Sequence, residues 1–106
     1  MPIAKETLGQ QTLYRLIDPR LGHTLGKATI SETAEGIRLH TIYVEPEHRG
    51  KGYGGTLMRT ILKGVKDKPV TLCTGFGNVP FFKRYDFEVT EMGESLVFME
   101  RKPNTA

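Results

Sequence analysis

Apolar and polar positions along the chain change their period near its middle, and the change marks where strands give way to a helix. The run Gln11-Thr12-Leu13-Tyr14-Arg15-Leu16-Ile17-Asp18 is rich in strand formers and stops at Pro19, which has no N–H to give to a ladder. A turn region over residues 22–26 follows, and residues 27–33 resume a strand pattern before Ala34-Glu35-Gly36 turns the chain again. The two segments read as a hairpin. Residues 37–44 carry Ile37, Leu39, Ile42, Tyr43 and Val44, which predicts a central strand buried on both faces and closed by Pro46.

From Gly55 the period becomes helical. Leu57, Met58, Ile61, Leu62 and Val65 line one face, while Arg59, Lys63 and Lys66 occupy the other. Asp67-Lys68-Pro69 breaks this helix, and Val70-Thr71-Leu72-Cys73 predicts a second central strand. A strand, helix and strand in that order make a right-handed crossover between parallel strands. Asn78 is placed to cap a short helix reaching Tyr85, with Pro80 in its first turn, and residues 87–89 and 96–100 form a closing strand pair around Met92-Gly93-Glu94. The pattern therefore predicts an α+β fold with antiparallel strand pairs and one parallel strand–helix–strand unit. A single domain spans residues 1–106, with 1–10 and 103–106 expected to be flexible.

Composition narrows the function classes. A chain of 106 residues, 38% apolar and 25% charged, has material for one core and does not match a disordered composition. No stretch has the length of a spanning helix, the start of the chain lacks the succession of a secretion signal, and Pro2 stands where a myristoyl acceptor needs glycine. The single cysteine, Cys73, cannot form an internal disulfide, and His23, His40 and His48 show no metal-ligand spacing. These features describe a cytoplasmic protein with no membrane contact and no bound metal. The net charge of +3 suits a small polyanionic ligand and is too small to argue for nucleic acid.

The chemistry concentrates in Arg49-Gly50-Lys51-Gly52-Tyr53-Gly54-Gly55. Its glycines, lodged between a buried strand and an amphipathic helix, leave successive N–H groups uncovered at a helix start, where the helix dipole also favours an anion. Arg49 and Lys51 add cationic donors. A flexible linking turn has the same composition, and placement between strand and helix is what favours phosphate binding. Gly50, Gly52 and Gly55 match the dinucleotide pattern G-x-G-x-x-G. That fold, however, wants the loop after its first strand and an acidic residue ending the next, where this chain has Thr74-Gly75. A P-loop fails because Lys51 is followed by Gly52.

The stretch from Ile42 to Gly54 resembles the central motif of the GNAT acetyltransferase family, whose pattern Arg/Gln-x-x-Gly-x-Gly/Ala is met by Arg49, Gly52 and Gly54. A second stretch, Phe81-Phe82-Lys83-Arg84-Tyr85-Asp86-Phe87-Glu88-Val89, is similar to the family's later Phe-Tyr-x-x-x-Gly-Phe motif. The two motifs and what joins them cover roughly residues 37–89. The resemblance implies a three-layer α/β arrangement with a mixed, mostly antiparallel central sheet, and an N-acetyltransferase that uses acetyl-CoA as co-substrate and passes the acetyl group to a primary amine by direct attack. Backbone groups of Ile42, Tyr43 and Val44 would then accompany the pantetheine arm, with the Val44 N–H on the thioester carbonyl. Arg49, Gly50, Lys51, Gly52, Tyr53 and Gly54, with Gly55 and Thr56, would hold the pyrophosphate. Asn78 would reach the pantetheine or cap its own helix, of which capping is the commoner role.

The resemblance also shows departures. Phe82 stands where many members carry a tyrosine that protonates the departing thiolate, so its place beside the cofactor brings no proton. Asp86 replaces a glycine, which implies a left-handed turn, and Tyr85 takes an apolar core position. His40 is the first candidate for the base that takes the amine's proton, ahead of Arg38 and Glu45. It shares strand parity with Ile42 and Val44, and the alternative is a histidine satisfied by a neighbour. Cys73 reads as core. Residues 19–26 leave no room for the two helices the family places between its first strands, so the acceptor groove is expected to be open and suited to a protein amine. A non-catalytic acyl-CoA-binding or protein-interaction module is the rival reading, and a homodimer is compatible with either.

Overall fold

The computed structural model describes residues 2–65 and 67–103. Lys66, expected on the polar face of the helix, and residues 104–106 of the tail lie outside the described residues. Seven strands form one sheet: β1 (Ile3–Leu8), β2 (Gln11–Ile17), β3 (Thr24–Thr33), β4 (Gly36–Val44), β5 (Val70–Thr74), β6 (Glu88–Met92) and β7 (Val97–Arg101). Their spatial order is β1-β2-β3-β4-β5-β7-β6. All neighbours run antiparallel except β4 and β5. Helix α1 (Tyr53–Gly64) joins β4 to β5, and the short α2 (Val79–Lys83) follows β5. The expected mixed, mostly antiparallel sheet and the parallel strand–helix–strand unit are both present; among the described residues both helices pack on one face, so the layers are two where three were expected.

The start of the chain corrects the sequence reading. Residues 3–8, expected to be flexible, pair with β2 along their whole length, from Ile3↔Leu16 to Leu8↔Gln11, across a turn at Gly9, whose φ is 63°. The alternation in this strand is weak because it lies at the sheet edge with only Ile3 and Ala4 half-buried. α1 begins at Tyr53, two residues before the periodic stretch, because glycines take a helical conformation without contributing to an apolar stripe.

One core lies between helices and sheet. Leu57, Met58, Ile61 and Leu62 of α1 and Phe82 of α2 pack in a single cluster with Tyr14 and Leu16 of β2, Ala28 and Ile30 of β3, Ile37 and Leu39 of β4, and Val70, Leu72, Val97 and Met99 beyond. These strand residues share one face by alternation and register. Leu13, Arg15, Lys27, Thr29, Ser31, Arg38, Thr71, Cys73, Phe98 and Glu100 on the other face are half-buried or exposed. Cys73 is therefore at the rim of the sheet's open face and not inside the core.

β4 differs from its expected form. Ile37 and Leu39 are buried, but Arg38 is half-buried and His40, Thr41 and Tyr43 are exposed, so the strand is not buried on both faces. Its pairing with β5 covers only Ile37↔Val70, Arg38↔Thr71 and Leu39↔Leu72. Beyond Leu39 the two parallel strands part, while β5 continues against β7 through Cys73↔Phe98 and Thr74↔Val97. At the other end Gly36 fits closely against Pro69: a Cβ there would lie 2.5 Å from the Pro69 carbonyl oxygen.

Candidate functional site

The parting of β4 from β5 creates the site. Past Leu39 the β4 edge that would face β5 has no strand partner. Glu45 N donates to Leu25 O at 3.0 Å, which fixes the alternation: Tyr43 turns its backbone groups to β3, and Ile42 and Val44 turn theirs to the free edge. The Val44 carbonyl is already taken, since Arg49 Nε donates to it at 2.9 Å. What the edge offers a ligand is the Ile42 N–H and C=O and the Val44 N–H. An extended chain with alternating amide groups meets such an edge as another strand would.

The edge leads to the start of α1. After one helical turn at Pro46–His48, the chain passes Gly50 and Gly52 at φ 82° and 83°, a left-handed conformation that side-chain-bearing residues rarely adopt. Gly52 is the N-cap and provides no side-chain cap, and the first intrahelical bond is Thr56 N to Gly52 O at 3.1 Å. The N–H groups of Tyr53, Gly54 and Gly55 are therefore free of intrahelical acceptors, and the first turn holds no acidic residue. Across this start lies α2. A Cβ on Gly54 would stand 3.5 Å from the Phe81 ring, and one on Gly55 would stand 2.6 Å from Tyr85 Oη and 3.1 Å from Arg59 Nη1. A side chain at Gly55 would thus push the Tyr85 hydroxyl and the Arg59 guanidinium from where they stand.

Edge and helix start open into one cavity of about 890 Å³. Of the residues expected to contact the cofactor, Ile42, Tyr43, Val44, Arg49, Gly50, Gly52, Tyr53, Gly54, Gly55, Asn78 and Phe82 line it. Lys51 and Thr56 do not; the Thr56 hydroxyl is turned back onto Gly52 O at 3.1 Å. Arg49 faces the cavity, but its guanidinium is folded onto the end of β4 and over the Tyr43 ring, 5.3 Å from the centroid, so its role there is to fix the strand end. Asn78 is at the cap position of α2 without a side-chain cap bond; its amide donates to Thr74 Oγ1 at 3.1 Å instead, which holds it at the cavity wall beside the end of β5.

Some lining residues went unnoticed in the sequence. His48, Arg59 and Arg84 join Arg49 and His40 around the cavity, and no Asp or Glu lines it. Arg59 was assigned to a solvent face, and its position one helical turn beyond Gly55 was the available signal. Tyr85 packs half-buried against the core, as expected, and also lines the cavity, its ring 5.4 Å from Phe81. Phe82 is 4% exposed and packs edge-on against Phe81 and Phe87, so an aromatic side chain without a hydroxyl sits between core and cavity. Asp86 has φ 69°, the left-handed conformation expected where glycine is usual.

His40 is displaced from its expected face. Ile30 pairs with Leu39 and Thr29 with Thr41, so His40 is an extra residue in β4, a β-bulge. Because the bulge resets the alternation, Leu39, Ile42 and Val44 share the helix-side face and His40 does not. Its Nε2 lies 2.6 Å from Ser31 Oγ on the open face of the sheet, and the ring still borders the cavity where the strands part. Arg38 lies on the open face away from the cavity, and Glu45 does not line it either.

A family model described as an acetyltransferase (GNAT) domain matches residues 10–89. Among solved structures, Escherichia coli ElaA superposes with a TM-score of 0.80 at 21% identity, covering 90% of this chain and 70% of that one. The PaiA N-acetyltransferase of Thermoplasma acidophilum, solved with coenzyme A, gives 0.72 at 22% identity over 88% of this chain and 61% of that one. An acetyltransferase from Bacillus cereus gives 0.74 at 19% identity over 86% and 71%. The chain thus spans between three-fifths and three-quarters of these proteins' lengths. No curated protein matches in sequence.

Proposed function

The chain belongs to the GNAT acetyltransferase domain family, and from that premise we propose that it transfers the acetyl group of acetyl-CoA to a primary amine on a polypeptide, by direct attack of the amine. The observation that carries this reading is the continuity of the free β4 edge with the uncapped start of α1 inside one cavity that no carboxylate lines. A ligand with an amide-bearing arm and a pyrophosphate fits those two features in sequence. When bound, its thioester supplies an acyl carbon open to attack.

The residues divide the work. Ile42 offers its N–H and C=O to the arm, and the Val44 N–H is free to withdraw charge from an acyl oxygen. The N–H groups of Tyr53, Gly54 and Gly55 hold phosphate, with Arg59 and Arg84 adding positive charge. His40 Nε2 and Ser31 Oγ share a hydrogen bond at 2.6 Å; in the tautomer in which Nε2–H donates, the Nδ1 lone pair is kept for the proton of the incoming amine. No helix among the described residues is long and apolar enough to cross a membrane, and we assign the reaction to the cytoplasm, where the Cys73 thiol stays reduced.

Phe82 favours a second reading, an acyl-CoA-binding or protein-interaction module without turnover, since that side chain has no proton for a departing thiolate. Two measurements separate the readings. Acetyl-CoA is expected to raise the melting temperature, and an amine-bearing peptide is then expected to release free CoA thiol. Stabilisation without thiol release from any amine leaves only the binding module, and no stabilisation at all removes both.

A further inference from the structure

On the sheet face opposite the helices, Arg15, Lys27 and Tyr43 stand in one cross-strand line: Arg15 pairs with Lys27, and Lys27 pairs with Tyr43. Lys27 and Tyr43 are exposed, Arg15 is half-buried, and Arg49 lies over the Tyr43 ring. Two like charges directly opposite each other across antiparallel strands destabilise the sheet. Neither makes a salt bridge: the ion pair found among the described residues joins Lys68 to Glu32 elsewhere, and Glu6, the diagonal neighbour of Arg15 across β1, is not within salt-bridge distance. Arg15 reaches only the Thr24 hydroxyl, at 3.4 Å. The line ends at the β4 segment whose edge is free, so it borders the place where an acceptor amine would enter.

We infer that Arg15, Lys27 and Arg49 form a docking row for an acidic polypeptide segment flanking the acceptor amine; this rests on the acetyl-transfer reading. A cation pair without a salt-bridge partner beside the mouth of the site is the charge arrangement that complements carboxylates. The far half of the same face sets the length of the partner. Glu100 and Glu88 are cross-strand partners there, with Glu91 opposite Phe98, and they repel a long polyanion such as a nucleic acid. A short acidic segment that covers β2 to β4 and stops before β7 satisfies both halves.

The test uses the full chain and three fluorescent probes of equal length: a lysine peptide with glutamate neighbours, the same peptide with arginine neighbours, and a single-stranded oligonucleotide. Anisotropy is expected to show the acidic peptide binding at least tenfold more tightly than the basic one, with affinity falling as salt rises. Lys27→Gln is expected to weaken acidic-peptide binding about fivefold and to raise its KM with kcat unchanged. It should also hold or raise the melting temperature, since it removes a repulsion; a merely structural lysine would not combine these effects. Lys63→Gln, on the exposed side of α1, is the control. Equal affinity for the two peptides, tighter binding of the oligonucleotide, or unchanged binding by Lys27→Gln overturns the inference. Acetyl-CoA melting shifts on the same samples report separately on the acetyl-transfer reading.

Discussion

The two halves of β4 share one backbone and have opposite fates. From Gly36 to Leu39 the strand is paired on both edges, with Ile37 and Leu39 buried and Ile37 N bonded to Pro69 O at 2.9 Å. From His40 to Val44 it is paired with β3 alone, and Tyr43 is 37% exposed. The first half has strand neighbours on both sides from Ile37 to Leu39 and serves chiefly to hold the sheet together. The second retains unpaired N–H and C=O groups, which an enclosed ligand must satisfy. A single bulge at His40 separates them, and it both turns the histidine to the open face and keeps Ile42 and Val44 on the helix side.

The sharpest way to break this contrast is in the paired half. Gly36→Val would place a branched Cβ 2.5 Å from the Pro69 carbonyl oxygen at φ 147°, and is expected to cost about 3 kcal/mol or more of stability in urea unfolding. A variant as stable as the parent would show that Gly36 and Pro69 do not fix the start of the strand. In the open half the expected loss is of activity. His40→Ala should lower kcat roughly a hundredfold in a thiol-release assay, while the melting temperature moves little. An unchanged kcat would reduce His40 to a partner for Ser31.

Smaller effects sharpen the boundary. A Cβ at Gly52 meets nothing within 4 Å, so Gly52→Ala is expected to cost only the left-handed penalty, about 1 kcal/mol, while calorimetry shows roughly tenfold weaker acetyl-CoA binding. Loss of stability without loss of affinity would make the loop a plain turn. Asp86→Gly should raise stability by about 0.5 kcal/mol by relieving the φ of 69°, with acetyl-CoA affinity unchanged.

Much of this could be read along the chain. The helical period of Leu57, Met58, Ile61 and Leu62, the strand runs either side of it, and the glycines at a helix start are local signals, and α1, β5 and the glycine turn before α1 lie where those signals put them. The residues missed have a common cause. Arg59, Arg84 and Tyr85 are brought to the cavity by the crossing of α2 over the start of α1, and their spacing in sequence carries no trace of that crossing. β1 was missed because an edge strand needs little alternation. Its order comes from the ladder with β2.

By itself the sequence determined most of the elements, the position of the glycines at the start of α1 and the absence of a hydroxyl at Phe82, because backbone propensity, glycine and side-chain chemistry act within a few residues. Only the tertiary structure decided where β4 leaves β5, which face His40 takes after the bulge, that Arg49 closes the Val44 carbonyl, and that Arg15 and Lys27 stand opposed. Each depends on register between strands distant in sequence, where one inserted residue exchanges the faces of all that follow.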